Sequence, residues 1–337
     1  MLKRYLYTGT TMLLFCLACN KNMIVKPVGF DVNCTKLNGT ATTTFSAKDT
    51  LQFNFSGNPD VITFYSGEQG KRYEFASRTS AFGASQLQFS TLRANGTQSN
   101  SLAVFVSSDF QGVVTRIVNG ALVRDTASTN ANIAAATWND ITSRASLSTG
   151  GTTALSSGVI DLSDFASQLK PVYIAFKYSA DAGSIQNKWT ITNLTLNNAL
   201  ADAGVYTNAS LNGPTTAITN YGNTTFGPGW AVSYDLAKNS NKYAWVYTDK
   251  TSLVITGATT AALATAPAEA WAIMGPVDLN RVTPDVGVAI KAIASTQPNY
   301  QYIYPVAGNY HAVFVAGNYN ATGSSTNKRD ITVTIKP

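Results

Sequence analysis

The chain has 337 residues, of which 45% are hydrophobic, 11% aromatic and only 12% charged, with a formal net charge of +6. That balance excludes wholesale disorder, and no apolar run reaches the roughly 20 residues of a spanning helix. Basic residues scattered singly or in pairs, such as Lys71-Arg72 and Lys328-Arg329, leave no footprint for nucleic acid, and the Thr, Ser, Asn and Gly between aromatic and branched residues suit an exported β-protein.

Lys3 and Arg4 open a basic n-region, Tyr5 to Leu17 form an h-region too short to span, and Ala18-Cys19 places a small residue before a cysteine. Residues 1–18 therefore read as a lipoprotein signal peptide, Cys19 as the lipidated residue and residues 19–26 as a tether. The run Phe15 to Cys19 resembles a loose lipobox, with Cys16 where leucine is usual. The expected location is the outer membrane, held by a lipid anchor, on either its surface or its periplasmic side. Cys34 remains as the sole thiol, so neither a disulfide framework nor a cysteine-based metal cluster is expected.

Strand signals begin near Gly29. Leu51, Phe53 and Phe55 alternate with Gln52, Asn54 and Ser56, and Val61 to Tyr65 follow the turn Gly57-Asn58-Pro59-Asp60. Short strands at this spacing predict a small immunoglobulin-like sandwich over residues 27–82. A second series starts at Leu87 and Phe89, passes Leu102 to Val106 and Val113 to Val118, and gives way to a loop-like stretch over 125–158. Leu162, Phe165 and Leu169 predict one short helix stopped by Pro171. Val172, Ile174, Phe176 and Tyr178 then share a strand face, and the phase of Trp189 and Ile191 shifts to Leu194 and Leu196, which predicts a bulge near Asn193. The same pattern continues through Trp230 to Leu236, Trp271 to Met274, His311 to Val315 and Ile331 to Ile335. The expected fold is all-β: the small sandwich followed by a larger jelly-roll-like β-sandwich over 83–337, with 298–337 either closing it or standing as a separate unit.

The stretch from Phe53 to Asp60, then Ile62-Thr63-Phe64-Tyr65-Ser66-Gly67-Glu68, Gly70, Tyr73-Glu74-Phe75 and Arg78-Thr79, resembles the signature of a Bacteroidota envelope lipoprotein family, the domain of unknown function 5017. The resemblance extends through Trp138 to Thr142, Val172 to Tyr178 and Trp189 to Thr192. It implies an N-terminal part of the polycystic-kidney-disease immunoglobulin type and neighbours that import polysaccharide. It carries no catalytic assignment. The residues themselves read as turn formers at Gly67 and Gly70, with Glu68, Glu74, Arg72 and Arg78 pairing on the surface or, alternatively, docking a partner subunit.

Catalytic chemistry finds little to work with. His311 is the only histidine and sits on a strand pattern; Glu68, Glu74 and Glu269 are the only glutamates; and Asp161 and Asp164 suit a helix start. A non-enzymatic protein without cofactor or metal is expected. The five tryptophans carry the remaining signal. Flat indole and phenol rings stack on the C–H faces of sugars while amides take the hydroxyls. Trp189 and Trp271 alternate in phase with Ile191 and Ile273 and are expected in the core. Trp138, Trp230, Trp245 and Tyr243 lie among Asn, Asp, Thr and Gly and are the ligand candidates. The leading expectation is a lipid-anchored glycan-binding or accessory protein of a polysaccharide-uptake system, with outer-membrane importer subunits as partners. The alternative is an envelope adhesin or structural lipoprotein that binds another protein.

Overall fold

The computed structural model describes residues 25–213, 218–222, 226–248 and 250–337. The leader, Cys19 and the tether to residue 24 lie outside the described residues. The chain divides into two compact units, one built from both flanks, up to Ser77 and from Pro284 onward, and the other from Arg78–Thr283.

The first unit opens with β1 (Phe30–Lys36), β2 (Thr44–Ser46), β3 (Thr50–Gly57) and β4 (Val61–Tyr65). The second unit runs through β5 (Ala84–Ala94), β6 (Leu102–Ser107), β7 (Thr115–Val118), β8 (Ala121–Arg124), helix α1 (Thr126–Ala135), β9 (Asn139–Asp140), β10 (Leu155–Ser156) and β11 (Ile160–Asp161). It continues with helix α2 (Ser163–Ala166), β12 (Val172–Ala180), β13 (Lys188–Leu200), β14 (Gly204–Ser210), β15 (Gly229–Ser233), β16 (Val246–Thr248), β17 (Ser252–Thr256) and β18 (Ala268–Val277). The first unit then resumes with β19 (Val288–Lys291), β20 (Asn299–Ile303), β21 (Gly308–Asn320) and β22 (Gly323–Lys336). The fold is all-β, a small sandwich and a larger one.

In the first unit a three-stranded sheet, β1-β3-β20, packs on a five-stranded sheet, β19-β4-β21-β22-β2. Period-two alternation turns Leu51 and Phe53 of β3 and Ile62 and Phe64 of β4 inward. Phe314 of β21 closes the core, its ring centroid 4.8 Å from that of Phe53 and 4.9 Å from that of Phe64. Burial places Cys34 in the same core and pushes its thiol up to about 11. The turn after β4 is tied down around Glu68, which also pairs with Lys71 at 3.7 Å. Ser66 Oγ donates to Glu68 at 2.8 Å, the Tyr302 hydroxyl donates to the same carboxylate, and the Tyr304 hydroxyl donates to Ser66 O at 2.7 Å. Burial and the Glu68 carboxylate push the Tyr302 hydroxyl up to about 12.

The second unit packs a seven-stranded sheet, with β10-β5-β13-β17-β16 as its path and β11 and β14 beside it, on a five-stranded sheet, β15-β18-β12-β6-β9. Phe89 and Phe176 meet edge to face at 5.1 Å in the core between them. Trp189 is buried as expected and donates from Nε1 to Ser101 Oγ at 2.9 Å. The bulge is also present: the register shifts between Thr192 and Thr195, and Asn193 takes a φ of 54°.

Three expectations change. The first boundary falls at Ser77/Arg78, a few residues before the expected 82/83, but the run of one sandwich to 337 does not hold, because residues 284–337 return to the first unit and β19 to β22 pair with β2, β3 and β4. The predicted helix shrinks to Ser163–Ala166, since Leu169 turns into the left-handed region at a φ of 54° and is exposed. The loop-like stretch 125–158 contains α1, capped by Asp125, which accepts from Ser128 N at 3.1 Å. Among the described residues no helix is long and apolar enough to cross a membrane.

Candidate functional site

The five-stranded sheet of the second unit has two very different faces. Val172, Ile174, Phe176 and Tyr178 of β12 and Ala268, Ala270, Ala272 and Met274 of β18 face the main core. The alternate set, Tyr173, Ala175 and Lys177 of β12 with Glu269, Trp271 and Ile273 of β18, faces the other way, joined by Phe105 of β6. Part of this outer face lies under Ile133 of α1, where Ile273 is buried. The rest is open, and there Trp271 and Trp138 stand half-buried with ring centroids 5.3 Å apart and planes at 41°.

Beside the two indoles lies a cleft of about 250 Å³ whose polar rim is Lys177, Glu269, Lys238, Asp235 and Asn130. Glu269 is the hub. Its carboxylate receives Lys177 Nζ at 2.9 Å, Lys238 Nζ at 3.3 Å and Trp271 Nε1 at 3.1 Å. Burial pushes the Glu269 carboxyl up, but the hydrogen bonds from Lys177 and Trp271 and the two lysine charges outweigh it and hold the group below its ordinary range. Lys177 Nζ also lies 5.3 Å from the Trp271 ring centroid, a cation–π contact. Trp138 Nε1 donates to Ile133 O at 2.9 Å. Both indole N–H groups are thus spent within the protein, which helps fix the rings. The cleft is smaller than the roughly 300–1,000 Å³ of enclosed ligand pockets, so it suits one ring of a longer chain.

Of the four sequence candidates, only Trp138 lies at this cleft. Trp230 and Trp245 were expected to be exposed; they are 8% and 2% exposed and belong to the main core. Trp230 stacks on Tyr247 at 5.8 Å, and Trp245 Nε1 donates to Ala270 O at 3.2 Å. Tyr243 packs against that core, half-buried, with its N–H on Asn239 Oδ1 at 3.0 Å. Trp271 goes the other way: it shares a face with Ile273 as its phase requires, but the face is the outer one. The alanines at 268, 270 and 272 hide the inward phase, because small residues do not read as core. Lys177 was the missed signal, a lone charge in the apolar run Val172 to Tyr178 that marks the outward phase.

The other titratable candidates are held by structural partners. Asp164 takes a bidentate bond from Arg144 at 3.0 and 2.7 Å and Asp161 accepts from Ser163 N at 2.9 Å, and these bonds draw both carboxyls below the ordinary range. His311 pairs with Asp330 at 2.9 Å across the β21–β22 hairpin, and that bond lowers the Asp330 carboxyl. Among the described residues no three His, Cys, Asp or Glu side chains gather as a metal site.

A family model described as domain of unknown function (DUF5017) matches residues 18–216. No curated protein matches the chain. Among solved structures, the C-terminal domain of the Streptococcus pyogenes antigen I/II-family protein AspA aligns over 92% of this chain and 100% of that one, at 9% identity and a TM-score of 0.09, a likeness too slight to carry any argument.

Proposed function

The chain belongs to the DUF5017 family, and from that premise we propose that it is a non-enzymatic, lipid-anchored cell-envelope protein that binds glycan, as an accessory to polysaccharide uptake beside outer-membrane importer subunits. The observation that carries this reading is the pair of half-buried indoles, Trp138 and Trp271, whose N–H groups are taken by protein acceptors and which line a cleft with a charged and amide rim. Sugar rings offer apolar faces to the indoles and hydroxyls to Asn130, Asp235 and Lys238. The absence of turnover is supported by Asp161, Asp164 and Glu269, each held ionised by partners where a general acid needs a raised pKa.

The purified chain is expected to bind an oligosaccharide at roughly micromolar to millimolar Kd, because a shallow site buries little area. Trp271→Ala and Trp138→Ala should each weaken that binding by about 1–3 kcal/mol, as on other aromatic stacking platforms. Calorimetry against a broad panel of plant, fungal and host glycans checks this, and binding that is undiminished in both variants would refute the site. The anchor has its own experiment. In a lipoprotein-processing bacterium fed labelled fatty acid, the wild type should take up label and Cys19→Ala should not; equal labelling of the two would remove the lipid anchor from the reading.

The second reading, an adhesin or structural lipoprotein that binds another protein, has one observation of its own. Among the described residues β7 and β8 pair only with each other, and the directly opposed Ile117 and Leu122 are 75% and 71% exposed. A chain that binds no glycan on the panel belongs to that reading.

A further inference from the structure

The first unit contains an unusual lysine. β19 runs along β4 with Val288 opposite Phe64 and Ala289 opposite Thr63, but the register then slips so that Lys291, not Ile290, faces Ile62. Opposed residues share a face, so this bulge turns a lysine toward the side of the sheet where Ile62 is buried in the core. Lys291 is only 8% exposed. Its ammonium donates to Asp60 O at 3.1 Å and reaches Ala292 O at 3.5 Å, an oxygen already bonded by Ser295 N and Oγ at 3.0 and 2.9 Å. The Asp60 carboxylate is directed elsewhere, accepting from Tyr319 N at 3.0 Å. Among the described residues no carboxylate forms an ion pair with Lys291.

Taking a lysine's charge out of water without a counter-ion is costly in general, by several kcal/mol for a fully buried one. A use is suggested by the space beside it. Lys291 forms part of the wall of a cavity of about 280 Å³, whose other walls include Phe55, Pro59, Ile62 and Pro298, with Thr296 as a hydroxyl donor and no acidic residue in the lining. Phe55, Pro59 and Ile62 belong to the stretch by which the sequence resembles its family, a stretch that the Trp138–Trp271 cleft does not use.

We propose that this cavity binds a carboxylate carried on a compact apolar-faced body, with Lys291 as its counter-charge and the Phe55, Pro59, Ile62 and Pro298 surfaces taking the body. The chemistry is shared by the uronic acid of a polysaccharide and the free carboxyl end of a short peptide. The site is independent of the indole cleft, and either can fail without the other.

Methyl glucuronide and N-acetyl-leucine are the probes, each titrated into the full chain by NMR beside its neutral counterpart, methyl glucoside or N-acetyl-leucinamide. At least one acid is expected to bind at roughly millimolar Kd while its neutral counterpart does not. Whichever acid binds names the source. Lys291→Met should weaken that acid at least about tenfold, as expected for loss of a charged hydrogen bond, and should raise the melting temperature by about a few degrees, since an apolar side chain replaces an uncompensated charge. Trp271→Ala should leave acid binding unchanged. No binding of either acid, equal binding of the neutral counterparts, or a Lys291→Met variant that binds the acid as before would overturn the proposal. A fall in the melting temperature of Lys291→Met would do the same, because it would make the lysine a cap on the Asp60 carbonyl and nothing more.

Discussion

Trp245→Ala is expected to destabilise the second unit by about 3–5 kcal/mol, the range for deleting a large buried aromatic. The indole is 2% exposed and its Nε1 donates to Ala270 O at 3.2 Å. The part of β18 that meets this indole carries Ala268, Ala270 and Ala272 on its core face, side chains too short to swing into the space vacated. The cost should therefore stay near the top of the range, where a site that cannot collapse belongs. Denaturant titration of the full chain, followed by a probe of the second unit, measures it. A loss below about 1 kcal/mol would mean that Trp245 does not fill the core as described.

Gly67→Ala should be nearly as damaging, by about 2–4 kcal/mol, combining left-handed strain with a backbone overlap. Gly67 has a φ of 81°, and a Cβ there would stand 2.7 Å from His311 N and 2.8 Å from His311 O. Those atoms belong to β21, which is paired on one side with β4 and on the other with β22 and so has no room to retreat. Gly70 supplies the comparison. Its φ is 77° and nothing lies within 4 Å of the position a Cβ would take, so Gly70→Ala should cost only the conformational strain of about 1–2 kcal/mol. Melting curves of the two variants separate the overlap from the strain, and equal losses would refute the close approach to β21.

Alternation made the fold class legible in the sequence. It set Leu51 and Phe53 on one strand face and Trp189 in the core, where the structure buries all three, and the change of phase at Asn193 marked the bulge. What alternation lacks is the identity of the partner strand: β21 has the same pattern whether it closes the larger sandwich or returns to β4, so the discontinuity of the first unit left no local sign. The indoles show a second gap. Period two assigns residues to two faces without saying which is inside, and polar neighbours made Trp230 and Trp245 read as exposed while Ile273 made Trp271 read as core. Helix α1 was passed over because its Ala, Ser, Thr and Asn residues bury only Thr129 and Ile133, too few to mark an apolar stripe.

The interruption of the first unit by residues 78–283 also sets an order of events as the chain emerges N-terminus first. Every strand of the second unit's two sheets lies between Ala84 and Val277, so that unit has all its partners once the chain has emerged past Val277 into the compartment where it folds. The first unit must wait. β3 lacks β20, β4 lacks β19 and β21, and β2 pairs in parallel with β22, where Thr44 meets Thr334. Until those late strands emerge, Phe53 and Phe64 have no Phe314 to close over them, and of the early strands only β1 and β3 have each other while the second unit already has all its strands. A truncation that removes β22 would therefore reach back to strand β2, near the beginning of the sandwich, and spare the globule in between.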